Sequence, residues 1–365
     1  MSDQRYGGVS APNPLCRRGF LAAAAAGLGV SAVLRPAGRA ARAAEPPTAV
    51  GALPTVLVVN GICRSHVPGL GQPESPQRYD AVLAALQKAP YFPRLRQLHS
   101  RAATAEEVLA CHEQSYVLKA QSEIQSGAQK LSTGDTYVCA ESLKAAYCSA
   151  GAACVGVDAV LGGQAKNAFC LIRPPGHHAT KQRGMGFCIF NNAAIAARYA
   201  QQRHQLGRVL IIDWDVHHGN GTQDIFYEDD TVFYFSTHQA AWYPWTGAAD
   251  ETGQGKGRGY TLNCPLPRGA GRNEFLAAFQ GQLGPAVNRF KPELILISAG
   301  FDARIGDPLG RLALTDEDYV ELTGLVMEMA RQHCGGRLVS LLEGGYNLTG
   351  LASAVTAHCG RLAQG

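Results

Sequence analysis

The stretch Val209-Leu210-Ile211-Ile212-Asp213-Trp214-Asp215-Val216-His217-His218-Gly219-Asn220 decides how this chain folds. Its first four residues are apolar on both faces. A strand able to bury both faces belongs inside a parallel sheet covered by helices. The residues that follow are the opposite: carboxylates and imidazoles packed together beside a glycine. In open α/β sheets the carboxyl ends of the strands line the ligand crevice.

Working outward, five more runs share the apolar character: 55–59, 169–172, 231–235, 294–298 and 338–342. Helix-like stretches separate them, at 140–161, 192–204, 273–290 and 316–333. Strand alternating with helix predicts a doubly wound α/β domain. No internal repeat, coiled-coil heptad or second linker is visible. The Gly-rich segment 247–260 lacks the strand-then-helix setting that a phosphate loop needs. It reads as a turn region.

The polar residues cluster at strand ends. Arg173-Pro174-Pro175-Gly176-His177-His178 follows the run at 169–172, and Ser236-Thr237-His238 follows 231–235. Ala299-Gly300-Phe301-Asp302 follows 294–298, and Glu343-Gly344-Gly345-Tyr346 follows 338–342. Chance would scatter such residues over both ends of the sheet.

Asp215 and His217 stand two apart, so an extended backbone would point both to one side. Asp302 adds a second carboxylate from a neighbouring strand end. Three protein ligands with an open position are the catalytic pattern for zinc, whereas four would close the site. The same oxygen-rich set also accepts Fe(II), Mn or Co. His177 and His178 suit general acid and base work on a bound water. Asp213 alternates with Asp215, so it faces away from the metal and is placed to accept a bond from an imidazole or to bind a cation. Tyr346 could donate to a developing oxyanion.

The chain has 365 residues, 46% hydrophobic and 17% charged, enough for a large core without disulfides. Its N-terminus differs from the rest. Arg17-Arg18 opens an apolar run, and Ala41-Arg42-Ala43 offers small residues around a cut. A basic segment, a short apolar segment and such a site predict a signal peptide over 1–44, with paired arginines of the twin-arginine type. The apolar run is shorter than the roughly 20 residues a bilayer span needs. The expected location is periplasmic or secreted, with no stable membrane anchor. Residues 1–43 carry six Arg and one Asp, so most of the formal +4 charge is targeting sequence. No basic stripe remains for nucleic acid. Of the 11 cysteines, Cys154, Cys170 and Cys188 lie in apolar text and read as buried small hydrophobes. No pairing is assigned, and the absence of C-x-x-C argues against a cysteine zinc site.

The runs RPPGHHA (173–179), GMGFCIFNN (184–192), IIDWDVHHGNGTQ (211–223), SAGFDARIGDPLG (298–310) and LLEGGYNL (341–348) resemble the class II histone deacetylase family, which includes acetylpolyamine amidohydrolase relatives. His66, residues 74–78 and residues 110–117 are similar to the family's early loops. The resemblance covers about 56–359. It implies a three-layer arginase/deacetylase fold with a central parallel sheet of about eight strands, as one catalytic domain over 45–365. It implies Asp215, His217 and Asp302 as ligands of one Zn2+ per chain. It implies His177 and His178 as catalytic histidines, Asp213 as the partner of the first of them and Tyr346 as the carbonyl-polarising tyrosine. A structural K+ is implied at an inner set, Asp213, Asp215, His217, Ser236 and Thr237. Phe226, Asp229 and Val232 resemble an outer set. Gly186 and Phe187 resemble the wall of an acyl-lysine tunnel, with Trp242 or Tyr243 opposite.

Departures from the pattern are informative. Asn220 stands where class I members carry Asp, which alters how the second histidine is held. Gln72 and Arg272 replace a His and an Asp common in the family. Leu309, after Gly306-Asp307-Pro308, disfavours the acidic gatekeeper of polyamine-selective relatives. The reading is a zinc-dependent hydrolase of acyl amides, acting on acyl-lysine or a small acylated amine. An acetylpolyamine amidohydrolase is the alternative, and a non-catalytic exported binding protein a further one. A ureohydrolase would need D-x-H-x-D, and Gly219 stands at its last position. Oligomeric state is left open.

Overall fold

A computed structural model describes residues 54–365. The expected signal segment, with Arg17 and Arg18, lies outside the described residues. Among the described residues, eight strands form one sheet. They are β1 (Thr55–Val59), β2 (Arg96–His99), β3 (Asn167–Cys170), β4 (Val209–Asp213), β5 (Val232–Gln239), β6 (Thr261–Leu266), β7 (Leu294–Ala299) and β8 (Leu338–Leu342). Their order is β2-β1-β3-β8-β7-β4-β5-β6, and every neighbouring pair is parallel.

All six expected strands form. β3 begins two residues earlier than expected, and β5 runs on to Gln239. The two strands not expected are the sheet's edges. β2 reads Arg-Gln-Leu-His and is largely exposed. β6 carries Pro265 and buries its residues unevenly. Edge strands need neither two apolar faces nor every N–H, so they lack the signal that marked the others.

The helices are α1 (Pro76–Lys88), α2 (Ala105–Leu109), α3 (Gln114–Gln125), α4 (Ser142–Leu161), α5 (Asn192–His204), α6 (Asn220–Phe226), α7 (Arg272–Leu276), α8 (Gly284–Phe290), α9 (Asp316–Cys334) and α10 (Leu348–Leu362). Helices α4 and α5 pack together on the sheet as one layer; α1, α9 and α10 form the other. The single helix expected at 273–290 divides, with a π-helical turn at Ala277–Leu283 joining α7 to α8. Helix α4 is long and apolar enough to cross a membrane by composition, but it packs against β1, β3 and β8. Thr315 caps α9 and Gly335 closes it in the left-handed conformation. Gly247, Gly253, Gly255 and Gly259 all have positive φ, as a turn region requires.

All ten cysteines among the described residues are free. Cys154, Cys170 and Cys188 are buried in the apolar core, as expected.

Candidate active site

Strand β4 ends at Asp213, and the chain then bends rather than running extended through Asp215 and His217. Carboxylate-to-backbone bonds make the bend. Asp213 Oδ1 accepts from the Asp215 N–H at 3.2 Å, and Asp215 Oδ1 accepts from the His217 N–H at 2.9 Å. Such bonds are how aspartates turn a chain locally. The expected convergence of the two side chains is therefore met by a turn instead of by strand alternation.

Asp302, three residues beyond β7, joins them; its Oδ1 accepts from the Val216 N–H at 2.8 Å. Asp215 Oδ2 accepts from the Gly344 N–H at 2.8 Å. His217 Nδ1 lies 2.9 Å from Asp215 Oδ1 and 3.3 Å from Asp302 Oδ2. One ligand atom from each of Asp215, His217 and Asp302 falls within 4.8 Å of the others, and all three residues are buried. Asp302 Oδ2 is buried with no hydrogen-bond partner. A buried carboxylate oxygen left so is costly, and a bound cation would satisfy it. Gly344 makes the approach possible: a Cβ there would stand 2.0 Å from Asp302 Oδ2.

The tandem histidines sit beside this group, rings 4.0 Å apart. His177 Nδ1 is 3.0 Å from Asp213 Oδ2, and its Nε2 faces Asp215 Oδ1 at 3.9 Å. Burial opposes a charge on His177, but the carboxylates of Asp213 and Asp215 outweigh it and raise its pKa to about 10. Burial and the neighbouring His177 and His217 hold His178 well below the usual imidazole range. The two rings are thus pushed in opposite directions by their surroundings. His178 Nδ1 meets Asn220 Oδ1 at 2.8 Å. The amide oxygen can only accept, so Nδ1 carries the proton and the Nε2 lone pair is free.

Tyr346 is half-buried on the turn after β8. Its ring lies under Arg78, 4.9 Å from Cζ, and 5.6 Å from the Phe187 ring. Asp307 Oδ2 accepts from the Tyr346 N–H at 2.7 Å and fixes the turn. Burial keeps the phenol pKa well above its ordinary value, so the hydroxyl keeps its proton.

Gly186, Phe187, Trp242, Tyr243 and Leu309 line one cavity of about 420 Å3, together with His217. All the expected tunnel residues are thus brought to one place. Gly186 has φ 56, and a Cβ there would lie 2.2 Å from His178 Cδ2. Trp242 Nε1 donates to the Leu309 carbonyl at 2.8 Å, tying the two walls. Larger hollows of about 560 and 590 Å3 elsewhere hold none of these groups.

The residues expected at the potassium sets are only partly drawn together by visible contacts. Asp213 and Ser236 are register partners across β4 and β5. The Thr237 hydroxyl oxygen is buried with no partner. In the outer set the Phe226 carbonyl accepts from the Asp229 N–H, and the Asp229 carboxylate is paired with Arg198.

Several residues that hold the site were given no role from the sequence. Glu343 Oε2 accepts from the Gly176 and His177 N–H groups at 2.6 and 3.2 Å, anchoring the histidine loop. Glu74 takes a bidentate contact from Arg173, at 2.5 and 2.6 Å, and a bond from Arg78 at 3.2 Å. Arg78 donates onward to the Gly345 carbonyl at 2.6 Å. Asp135 accepts from the Gly186 N–H at 2.7 Å and lines the cavity with Trp245 and Arg311. Glu74, Arg78 and Arg173 sit inside motifs already singled out, but burial and pairing are invisible in a string of letters. Arg272, by contrast, pairs with Glu321 at the surface, away from the site.

A parallel three-layer fold with a buried Asp-His-Asp group beside paired histidines defines a hydrolase of the arginase/deacetylase architecture. The histone deacetylase domain profile matches residues 72–362, and the chain belongs to that family. It is 40% identical over 279 residues to the histone deacetylase-like amidohydrolase of Pseudomonas aeruginosa, covering 76% of this chain and 73% of that one. It is 40% identical over 293 residues to the human polyamine deacetylase HDAC10, covering 77% of this chain and 43% of that longer protein. The crystal structure of the HDA15 HD domain superposes with a TM-score of 0.80 at 37% identity, over 85% of this chain and 90% of that one.

Proposed function

We propose that this chain is a zinc-dependent deacylase, taking acetyl or similar acyl groups from the nitrogen of acyl-lysine or small acylated amines. The observation that carries the reading is the buried, unpartnered Asp302 Oδ2 in the Asp215, His217 and Asp302 group, whose His217 lines the cavity and which sits beside the tandem histidines. Two carboxylates and one imidazole suit a single Zn2+ with an open position. Bound there, the metal would polarise the amide carbonyl and acidify a water.

The protein's own groups then divide the work. His178 Nε2, with its lone pair free, takes the proton of the attacking water and delivers it to the leaving amine. His177, held as imidazolium by Asp213, supplies fixed positive charge beside the reacting centre. The Tyr346 hydroxyl donates to the oxygen that becomes the oxyanion. Phe187, Trp242 and Tyr243 give an apolar channel for a thin alkyl stem. A structural K+ near Asp213, Ser236 and Thr237 belongs to the same reading, and the buried Thr237 hydroxyl oxygen supports it.

An acetylated polyamine is the second substrate reading, favoured by the aromatic lip and the Asp135 carboxylate. Leu309, in place of an acidic gatekeeper, and the nearby Arg311 weigh against it. Turnover of acetyl-lysine peptide, acetylspermidine and trifluoroacetyl-lysine by the zinc-loaded chain tests the reading. Hydrolysis of at least one is expected; none hydrolysed would overturn it. The paired arginines support export, and Arg17-Arg18 replaced by Lys-Lys should abolish it; unchanged periplasmic yield contradicts that route.

A further inference from the structure

Outside this site lies a cluster that the deacylation reading does not use. Cys139 is half-buried, whereas the other nine cysteines among the described residues are buried. Its Sγ accepts from the Val67 N–H at 3.3 Å and the Ser142 hydroxyl at 3.4 Å, and as a thiol it donates to the Ser65 carbonyl at 3.4 Å. Ser142 Oγ also accepts from the Cys139 N–H at 2.7 Å and stands 2.7 Å from His66 Nδ1. His66 Nε2 is 3.3 Å from Glu74 Oε2, so both ring nitrogens face acceptors and the buried ring is built to be an imidazolium.

From this geometry we propose that Cys139 is a reactive thiolate, charge-paired through Ser142 with His66, and that it is a modification site for hydroperoxides. The sulfur attacks the distal oxygen of the peroxide. The S–O bond forms as the O–O bond breaks, giving a sulfenic acid. The departing hydroxide takes a proton from His66 by way of Ser142 and leaves as water. The thiol is oxidised by two electrons and the peroxide is reduced by two.

Burial opposes the thiolate, but His66, Ser142 and the Val67 and Glu141 backbone N–H groups lower the thiol pKa to about 6. Burial pushes the thiols of Cys63 and Cys264 up to about 11 instead. The charged groups facing the cluster are His66 and, behind it, Glu74 and Arg173, whose Nη2 donates to the His66 carbonyl at 3.0 Å and whose charge opposes that on the ring.

Oxidation is also felt at the active site. Discharging His66 removes a cation from Glu74, which holds Arg78 at 3.2 Å, and Arg78 lies over the Tyr346 ring. Turnover should fall several-fold on oxidation. That readout rests on the deacylase reading; the thiol chemistry does not.

The test treats the folded chain with hydrogen peroxide, traps sulfenic acid with dimedone and maps adducts by mass spectrometry across pH. One adduct at Cys139 is expected, with its rate midpoint well below the ordinary thiol pKa of about 8.5. Cys139→Ser should lose the adduct and keep basal turnover. Ser142→Ala should move the midpoint upward by a unit or more. A Cys139 no faster than the buried cysteines, or an unchanged midpoint in Ser142→Ala, would overturn the site. Turnover undiminished in oxidised but active protein would overturn the coupling.

Discussion

Tyr346 and Asn220 are the residues through which single atoms set the chemistry. Tyr346 offers a protonated phenol, and its backbone N–H is pinned by Asp307 at 2.7 Å. Tyr346→Phe keeps the ring over Arg78 and removes only the donor. Steady-state kinetics should show kcat down by about a hundredfold or more with KM little changed. Asn220 presents a neutral oxygen to His178, whose bond only partly offsets the burial that keeps that ring uncharged. Asn220→Asp would put a carboxylate 2.8 Å from Nδ1 and raise the His178 pKa. A base must be neutral to act, so the acidic limb of the pH–rate profile should move to higher pH. The metal-group residues, the tandem histidines and Tyr346 were legible because each falls in a short polar run, holding Gly or Pro, that follows an apolar strand. Glu343 lay in the same run as Tyr346 and passed without a role, because nothing in the letters shows that it reaches back to the His177 loop.

At the level of elements, the site is a property of five adjacent strands. β3, β8, β7, β4 and β5 are consecutive in the sheet, and these five carry the polar termini. They were readable because central parallel strands must be apolar on both faces, leaving polarity only at their ends. The edges β2 and β6 escape that rule; the count of about eight strands came from the family resemblance. The buried Glu74, Arg78 and Arg173 cluster ties α1 to the loop after β3 and the turn after β8. One carboxylate shared by two guanidiniums is held well below the ordinary range, burial being outweighed chiefly by Arg173. Its contribution to stability is present above the unfolded pKa and is lost as pH falls through the folded one. Glu74→Gln leaves two buried guanidiniums short of a partner and should lower unfolding stability by about 3–5 kcal/mol, read by denaturant melts.

For the whole molecule, the buried neutral histidines set a limit in acid. Burial holds His112 at about 4 and His358 at about 3, against an unfolded value near 6.5. Their folded pKa values are depressed, so the unfolded chain binds more protons between these values. Stability should fall as pH drops from about 6.5 toward 4. Thermal melts across that range should show a steady loss of Tm, and a flat profile would count against it. The described residues form one sheet and bring one Asp-His-Asp group together, so deacylation should depend on one metal. Bound zinc per chain and acyl-substrate turnover, measured together in the native protein and in Asp302→Ala, test that dependence. One zinc and turnover are expected in the native chain, with loss of both, by at least about a hundredfold in rate, in a variant that still folds. Equal turnover in Asp302→Ala, or full activity in zinc-free native protein, would contradict it.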